Sequence, residues 1–242
     1  MKMLSAFFLA NFNIDDKTIT LDEKESHHAV SVRRIKPGEE MYVTNGKGLI
    51  AKSQYASVNK NLEVKVDEII SVAKPSVEIT VVQALLKGER SDFAVELMTE
   101  VGVSQVVFWP AERSVAKIEN KTEKVLQRWN QLAIAATKQS RQAWLPQISY
   151  LDNFSQVVQL ITQNKDSFIL DFEAKENLAF VAKKSKLLFV VGPEGGLSTK
   201  EKNDLMDEGA KAVKVGDTVL RGSTAGAVAA AVTLNLVGSD NE

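Results

Sequence analysis

Hydrophobic and polar residues are arranged in two different ways along the chain. Up to about residue 73 they alternate over short stretches, so that Leu62, Val64 and Val66 are separated by charged residues, as in a half-buried β-strand. The sequence Asn-Gly-Lys-Gly at residues 45–48 is a strong signal for a β-hairpin turn. This pattern predicts a small β-barrel over residues 1–73.

From residue 74 to residue 242, apolar stretches of strand length alternate with amphipathic stretches of helix length. Such alternation is typical of an α/β domain with a largely parallel sheet. The predicted strands cover residues 77–86, 106–109, 168–171, 187–191 and 212–215, and the predicted helices cover residues 91–101, 122–138, 198–209 and 223–237.

Apolar residues recur along one side of the first two predicted helices. Phe93, Leu97 and Val101 are spaced four residues apart, which predicts a helix over residues 91–101 that Gly102 can end. Trp129 lies on the apolar side of the second helix, which favours a place in the core over stacking on a nucleic-acid base.

Composition narrows the possible chemistry. The chain has no cysteine and only two histidines, His27 and His28, which excludes disulfides and a cysteine nucleophile and argues against a metal centre. A chain without cysteine fits a reducing cytoplasm. The apolar opening residues resemble a short signal peptide, but no clear cleavage pattern follows, so an edge strand over residues 6–9 is favoured. No apolar run reaches the roughly 18 residues that a membrane-spanning helix needs.

The net charge of −1 excludes binding of nucleic acid by bulk charge. Basic residues nevertheless cluster at Arg33, Arg34 and Lys36, and every charged residue between positions 126 and 146 is basic. An uneven charge distribution of this kind can steer a polyanion towards one side of a protein. Ordinary solvated surface charge is the alternative interpretation.

A glycine-rich loop, Gly192-Pro193-Glu194-Gly195-Gly196, follows the predicted strand over residues 187–191 and leads into a helix with a capping box at Ser198 and Glu201. Ligands of open α/β sheets bind beyond the carboxyl ends of strands, and glycines let the backbone approach a ligand closely. The loop is neither a P-loop nor a dinucleotide fingerprint. We interpret it as a ligand-binding loop, with a tight strand-to-helix turn as the alternative.

A second strand runs into a loop over residues 216–222 and then into an alanine-rich helix that Ser223 or Thr224 could cap. Arg221 stands at the end of this loop, in a place to meet a phosphate or the edge of a base. The small residues from Ala225 onwards make the helix thin, so that another backbone can pack close to it. An ordinary core helix is the alternative interpretation for this segment.

Together these segments resemble the RsmE family, the ribosomal RNA small-subunit uridine N3-methyltransferases of the SPOUT superfamily. The resemblance extends over nearly the whole chain, and the order and spacing of its motifs make it specific. The matching segments are residues 28–34 with Pro37-Gly38, 87–90, 100–103, 112–115, Arg128-Trp129, 139–141 with Pro146, 192–198, and Leu220-Arg221 with Thr224-Ala225.

The resemblance implies an N-terminal PUA-like barrel that helps to hold RNA and an α/β SPOUT domain with a deep trefoil knot within about residues 168–242. It also implies a homodimer with the active site between subunits, and S-adenosyl-L-methionine bound by three loops. The implied cofactor-binding residues are Leu170, Asp171, Val191, Gly192, Gly195, Gly196, Val215, Gly216, Leu220, Thr224 and Ala225.

For catalysis the resemblance indicates Arg221, Thr224 and Glu194. Arg221 is expected to stabilise negative charge on the uracil ring or to hold its phosphate, because N3 becomes nucleophilic only when it loses its proton. Glu194 is either the base or, as we favour, a group that bonds within its own loop. The expected RNA contacts are Arg33, Arg34, Lys87, Arg90, Arg113, Lys138 and Arg141, although Arg113 could instead pair with an acidic residue.

One position departs from the family. Where the family usually reads Leu-Arg-Thr-Glu-Thr-Ala, this chain has Ser223 at the position of the glutamate. The expected substrate is 16S ribosomal RNA or the small ribosomal subunit, with neither a metal nor a membrane involved. Three alternatives remain: another RNA nucleotide as target, a catalytically silent RNA-binding or assembly factor, and a phosphate-binding metabolic enzyme.

Overall fold

The computed structural model describes residues 4–118, 120–180 and 184–238, which form two compact units. The first unit contains the chain up to residue 74 together with residues 134–145, and the second contains residues 75–133 and the chain from residue 146 onwards. Residues 1–3 and 239–242, which the predicted domains include, lie outside the described residues.

The first unit is built on one five-stranded sheet. Its strands are β1 (Ser5–Phe8), β2 (Thr18–Thr20), β3 (Glu40–Thr44), β4 (Leu49–Val58) and β5 (Leu62–Ser71), in the order β1-β3-β4-β5-β2. Strand β1 pairs with β3 in parallel, and the other pairings are antiparallel. Helix α1 (Glu23–His27) continues directly into a π-helical turn, His28–Val32.

Local sequence explains the β3–β4 hairpin. Gly46 and Gly48 have φ angles of 67° and 100°, the left-handed region that glycine enters without steric cost. The Asn45 side chain accepts hydrogen bonds from the amides of Lys47 (2.8 Å) and Leu49 (3.0 Å). The predicted hairpin and the alternation around Leu62 are therefore confirmed, and the predicted edge strand is β1.

Residues 134–145 belong to the first unit although the sequence assigned them to the second domain. They come from the end of helix α3 (Thr122–Ser140) and the turn after it. Lys138 donates to the carboxylate of Glu25 at 2.6 Å, and both side chains are largely buried. The second oxygen of Glu25 accepts from the amide of Phe8. Lys138 and Glu25 are 113 positions apart in the sequence, so no local sequence pattern predicts their contact.

The second unit alternates strands and helices as predicted. Its elements are β6 (Glu78–Ala84), α2 (Arg90–Glu100), β7 (Gln105–Trp109), the start of α3, β8 (Gln147–Tyr150), α4 (Phe154–Gln163), β9 (Ser167–Leu170), β10 (Glu176–Asn177), a 3₁₀ turn (Leu178–Phe180), β11 (Lys186–Val191), α5 (Thr199–Asp207), β12 (Lys211–Lys214) and α6 (Gly222–Gly238).

The seven strands of this unit are ordered β10-β12-β9-β11-β6-β7-β8, and their described pairings are all parallel. Leu187 to Val191 are almost completely buried, as expected for a strand covered on both faces. Because β12, β9 and β11 are neighbours and run in the same direction, the loops that follow them emerge at the same edge of the sheet. The predicted parallel sheet is confirmed.

Helix α2 confirms the predicted helix, and it buries a face other than the one that carries Phe93. Ala94, Val95 and Met98 are buried, whereas Phe93 is 47% exposed. Met98 packs against α6, where a Cβ added to Gly226 would lie 3.3 Å from its sulfur.

Two other predictions about the helices are confirmed. Trp129 stacks on Phe108 with ring centroids 3.9 Å apart and donates from its indole nitrogen to Asp92, so its place in the core is confirmed. The predicted capping box at the start of α5 is present at Ser198 and Glu201.

In the part of the chain that the structure describes, no helix has both the length and the apolar character needed to cross a membrane.

Candidate active site

The two loops singled out by the sequence meet at the carboxyl edge of the parallel sheet. A Cβ added to Gly222, the first residue of α6, would lie 3.1 Å from the carbonyl oxygen of Gly192 and 3.0 Å from Leu86. The glycine loop after β11, the segment leading into α6 and the end of β6 therefore lie in direct contact. A side chain at position 222 would require these neighbours to move by a few tenths of an ångström, so glycine favours this close approach.

Within the glycine loop, the glycines differ in what they do. A Cβ on Gly192 would lie 2.9 Å from the amide nitrogen of Leu197, and Gly196 has a φ of 69°. A Cβ on Gly195 would meet only the side chain of Arg113, at an ordinary 3.6 Å. The steric need for glycine thus lies at Gly192 and Gly196 rather than at Gly195.

Glu194 is held by the loop that follows β6. One oxygen of its carboxylate accepts from the amide of Lys87 and from the guanidinium of Arg90, each at 3.1 Å. Partial burial would raise the pKa of Glu194, but hydrogen bonds from its own amide, from Lys87 and from Arg90 outweigh this effect and lower the pKa. The carboxylate is therefore ionised and links its loop to the segment after β6, whereas the sequence favoured bonds within its own loop.

Arg113 supports the same loop from the other side. Its guanidinium donates to the carbonyl oxygens of Gly195 (3.0 Å) and Leu197 (3.3 Å). The acidic partner considered for Arg113 is thus replaced by backbone carbonyls. Next to it, the amide of Glu112 donates to Glu201, which fixes the segment to the start of α5.

A cleft of about 380 Å³ opens beside the start of α6. It is lined by Lys87, Glu89, Arg90, Phe93, Arg221, Ser223 and Thr224. Arg90 pairs with Glu194, whereas the side chains of Lys87 and Arg221 form neither a hydrogen bond nor an ion pair with any described residue. The cleft therefore offers two cationic side chains without a bonded partner, together with the carboxylate of Glu89, beside an exposed aromatic ring. Phe93 is a cleft residue that the sequence did not indicate, because a four-residue spacing of apolar side chains predicts a helix and does not mark a binding residue.

The start of α6 differs from the predicted cap. The hydroxyl of Thr224 donates to the carbonyl of Arg221 at 3.1 Å instead of accepting from a backbone amide. The amides of Thr224 and Ala225 donate to the same carbonyl. Ser223 is only 6% exposed, and its hydroxyl has no hydrogen-bonding partner among the described residues.

The loops after β9 and β12 complete this edge of the sheet. Leu170 ends β9, and the amide of Asp171 donates to Val213 in β12. Burial would raise the pKa of Asp171, but hydrogen bonds from Lys202 and the amide of Glu173 lower it further than burial raises it. The expected cofactor residues Leu170, Asp171, Val191, Gly192, Gly195, Gly196, Val215, Gly216, Leu220, Thr224 and Ala225 thus lie on or beside the loops after three neighbouring strands.

The remaining basic residues belong to the first unit. Arg33 and Arg34 are exposed just after the π-helical turn, and Arg34 has a φ of 54°. Arg141 donates to the carbonyl of Leu4. Lys138 is largely buried against Glu25. Burial and the nearby Lys138 lower the pKa of His28, which keeps its ring neutral at physiological pH.

Known proteins share this architecture. A family of RNA methyltransferase domains matches residues 73–234, and a family of RNA methyltransferase PUA domains matches residues 21–67. Ribosomal RNA small subunit methyltransferase E of Mycobacterium bovis is 38% identical over 217 residues, which cover 86% of this chain and 83% of that protein. The Bacillus subtilis protein of the same name is 29% identical and covers 86% of each chain.

Solved structures agree on the fold. The crystal structure of ribosomal RNA small subunit methyltransferase E from Neisseria gonorrhoeae bound to S-adenosyl methionine superposes with a TM-score of 0.86 at 24% identity, over 97% of this chain and 98% of that one. A probable rRNA-methyltransferase from Porphyromonas gingivalis superposes with a TM-score of 0.81 at 25% identity, over 98% and 100% of the two chains.

The fold and the converging loops define an RNA methyltransferase of the SPOUT type with an N-terminal PUA-like domain. Both parts of the chain match, and the sequence relatives cover most of its length. The chain belongs to the ribosomal RNA small subunit methyltransferase E family.

Proposed function

We propose that this protein transfers a methyl group from S-adenosyl-L-methionine to N3 of a uridine in 16S ribosomal RNA. The observation that carries the proposal is the contact between the Gly192 loop and Gly222, next to a cleft in which Arg221 and Lys87 are unpaired. Transfer of a methyl group to a ribonucleotide requires a loop that holds the methyl donor beside a cleft whose cationic side chains bind an anion.

The residues at the sheet edge suit the cofactor. Open space adjoins Gly196 and Gly216, where an added Cβ would meet no atom within 4 Å, while Gly192 has no room for one. The backbone of the loops after β9, β11 and β12 would hold the cofactor, with Leu170 and Leu220 beside it. When bound, S-adenosyl-L-methionine supplies an electrophilic methyl group on its sulfonium. A trefoil knot in residues 168–242 and a cytoplasmic homodimer that needs no metal belong to the same proposal.

In this mechanism, Arg221 acts on the base. Its guanidinium stabilises the negative charge that spreads over the uracil carbonyls as N3 gives up its proton to solvent water. Thr224 anchors the backbone of Arg221 through the hydrogen bond to its carbonyl. Glu194 keeps Arg90 and the amide of Lys87 at the mouth of the cleft, and because it stays ionised and occupied, it positions these groups instead of taking the proton.

The RNA-contacting residues form a smaller group than the sequence suggested. Lys87 and Arg90 border the cleft, and Arg33, Arg34 and Arg141 offer exposed charge on the first unit. Lys138 is enclosed with Glu25, and Arg113 is bound to loop carbonyls, so we assign both to the structure of their own unit.

The test uses small ribosomal subunits and their RNA from a strain that lacks the protein. Purified protein and S-adenosyl-L-methionine are added, and the modified nucleoside is mapped by mass spectrometry. N3-methyluridine is expected in the 16S ribosomal RNA. Another methylated nucleoside would indicate that Ser223 accompanies a different target, and cofactor binding by calorimetry without any methylation would indicate a silent assembly factor.

A further inference from the structure

The exposure of the Phe93 side chain is not explained by packing within its own unit. The neighbouring residues Ala94 and Val95 are completely buried, yet almost half of the Phe93 side chain is open to solvent. Exposing a phenyl ring of this size sacrifices the burial that an aromatic side chain usually gains. The ring lines the cleft together with Lys87 and Arg221.

An aromatic ring among unpaired cations is the arrangement with which proteins hold unstacked nucleotides. Bases stack on aromatic side chains while basic groups meet the phosphates. A base that reacts at N3 must first leave its stack, because its reactive edge is otherwise covered. In the protein, the unstacked base then needs a flat surface in place of the neighbouring bases on which it was stacked.

We propose that Phe93 is the surface on which the base of the target uridine stacks during methyl transfer. This inference rests on the proposed function and adds a base-recognition residue to it. The cleft also contains Arg221, Ser223 and Thr224 at the start of α6, next to the point where Gly222 contacts the Gly192 loop. A base against Phe93 therefore lies beside the proposed methyl donor. The volume of about 380 Å³ suits one nucleotide better than a longer segment.

The stacking proposal also gives Ser223 a role. Its nearly buried hydroxyl has no partner among the described residues and borders the same cleft. A hydroxyl both donates and accepts hydrogen bonds, so it can meet a carbonyl of a uracil ring whose face lies on Phe93.

The experiment compares Phe93→Trp, Phe93→Leu and Phe93→Ala with the wild-type protein. Methylation kinetics are measured with small ribosomal subunits from the strain that lacks the protein, and cofactor affinity is measured by calorimetry. Stacking predicts that kcat/KM for the subunit falls about 10-fold in Phe93→Ala, is nearly as low in Phe93→Leu, and stays near the wild-type value in Phe93→Trp. Cofactor affinity is expected to remain unchanged in all three variants.

Met206→Ala is the matched control, because Met206 is a similarly exposed apolar side chain on α5 that does not line the cleft. It is expected to keep the wild-type kcat/KM. Sedimentation analysis of each variant tests whether Phe93 instead contacts a second copy of the chain.

The inference is overturned if Phe93→Leu equals the wild type, since a flat ring would then be unnecessary. It is also overturned if Phe93→Ala weakens cofactor binding or changes the oligomeric state. If Phe93→Ala methylates subunits as well as the wild-type protein does, the inference fails and the proposed function stands. A wild-type protein that binds the cofactor and methylates nothing would sink both.

Discussion

Arg221 shows how a single residue can define a site. It stands at the end of the loop before α6, its backbone carbonyl is tied by Thr224 and Ala225, and its guanidinium meets no carboxylate among the described residues. A fixed backbone with a free charge is a preorganised arrangement for stabilising a developing anion.

We expect Arg221→Ala to lower methylation by at least about 10-fold, which corresponds to roughly 1.4 kcal/mol of transition-state stabilisation. The fold should survive because the side chain is exposed. Initial rates with small ribosomal subunits measure the effect. Lys200→Ala, which removes an exposed cation from α5, serves as the control and should keep full activity. Unchanged turnover in Arg221→Ala would exclude Arg221 from the mechanism.

A substitution of Glu194 can distinguish a general base from a carboxylate that only links two loops. Its pKa is lowered, so the carboxylate is ionised at every pH above its usual range and gains a proton only as the pH falls through that lowered value. A linking carboxylate of this kind gives no change in activity with pH between about 6 and 8. Glu194→Gln should therefore lower kcat/KM several-fold and leave the shape of the pH–rate profile unchanged. Complete loss of turnover at every pH would support Glu194 as the base.

At the scale of elements, α6 determines how closely the site can be assembled. A Cβ on Gly226 would lie 2.9 Å from Val81 in β6 and 3.5 Å from Val191 in β11. The helix therefore rests almost directly on the sheet, and its first residue reaches Gly192. The thin helix read from the alanine-rich sequence is the physical reason why the second loop touches the first.

Gly226→Val should lower the free energy of unfolding by about 1–3 kcal/mol, because a branched side chain would have to push α6 away from the sheet. Chemical denaturation measures this loss. Ala231→Val on the exposed side of the same helix is the matched control and should cost only a few tenths of a kcal/mol, the difference in helix propensity. Helix propensity alone would make Gly226→Val slightly stabilising, because glycine is a poorer helix former than valine, so a Gly226→Val protein at least as stable as the wild type would contradict the close packing.

At the scale of the whole molecule, a net charge of −1 means that attraction to RNA depends on where the charges lie. Lys87, Arg90 and Arg221 line the cleft of the second unit, and Arg33 and Arg34 are exposed on the first. Much of the remaining charge is neutralised within the fold, as in the pairs Lys202–Asp171 and Lys138–Glu25.

Binding to 16S ribosomal RNA should weaken as salt rises, because each phosphate contact releases counterions. Replacing Arg33 and Arg34 together by alanine should lower the magnitude of the slope of log K against log salt by about 1.4, at about 0.7 for each single-strand contact. Filter binding over a salt series measures the slope. Replacing Lys60 and Lys65, two exposed lysines of the β4–β5 hairpin, is the control, and an equal change there would argue for general charge instead of a defined surface.

The sequence predicts the structure best where the residue type restricts the backbone to few conformations. The hairpin at Asn45 and Gly46 and the capping box at Ser198 are as predicted, because each needs only neighbours in sequence. The buried face of α2 did not follow from the sequence, because spacing shows that apolar residues share a side and cannot show which side the sheet will cover. Lys138 and Arg113 have partners 113 and 82 positions away, which no local pattern reveals.

The sequence by itself determined the elements, the two loops and the family, because glycines, caps and apolar periodicity act over a few residues. Only the tertiary structure decided which charges remain unpaired, which aromatic ring stays exposed and how closely Gly222 approaches Gly192. These properties depend on groups far apart in the chain that packing brings within a few ångströms. The chemistry of the site therefore depends on contacts that the order of residues does not display.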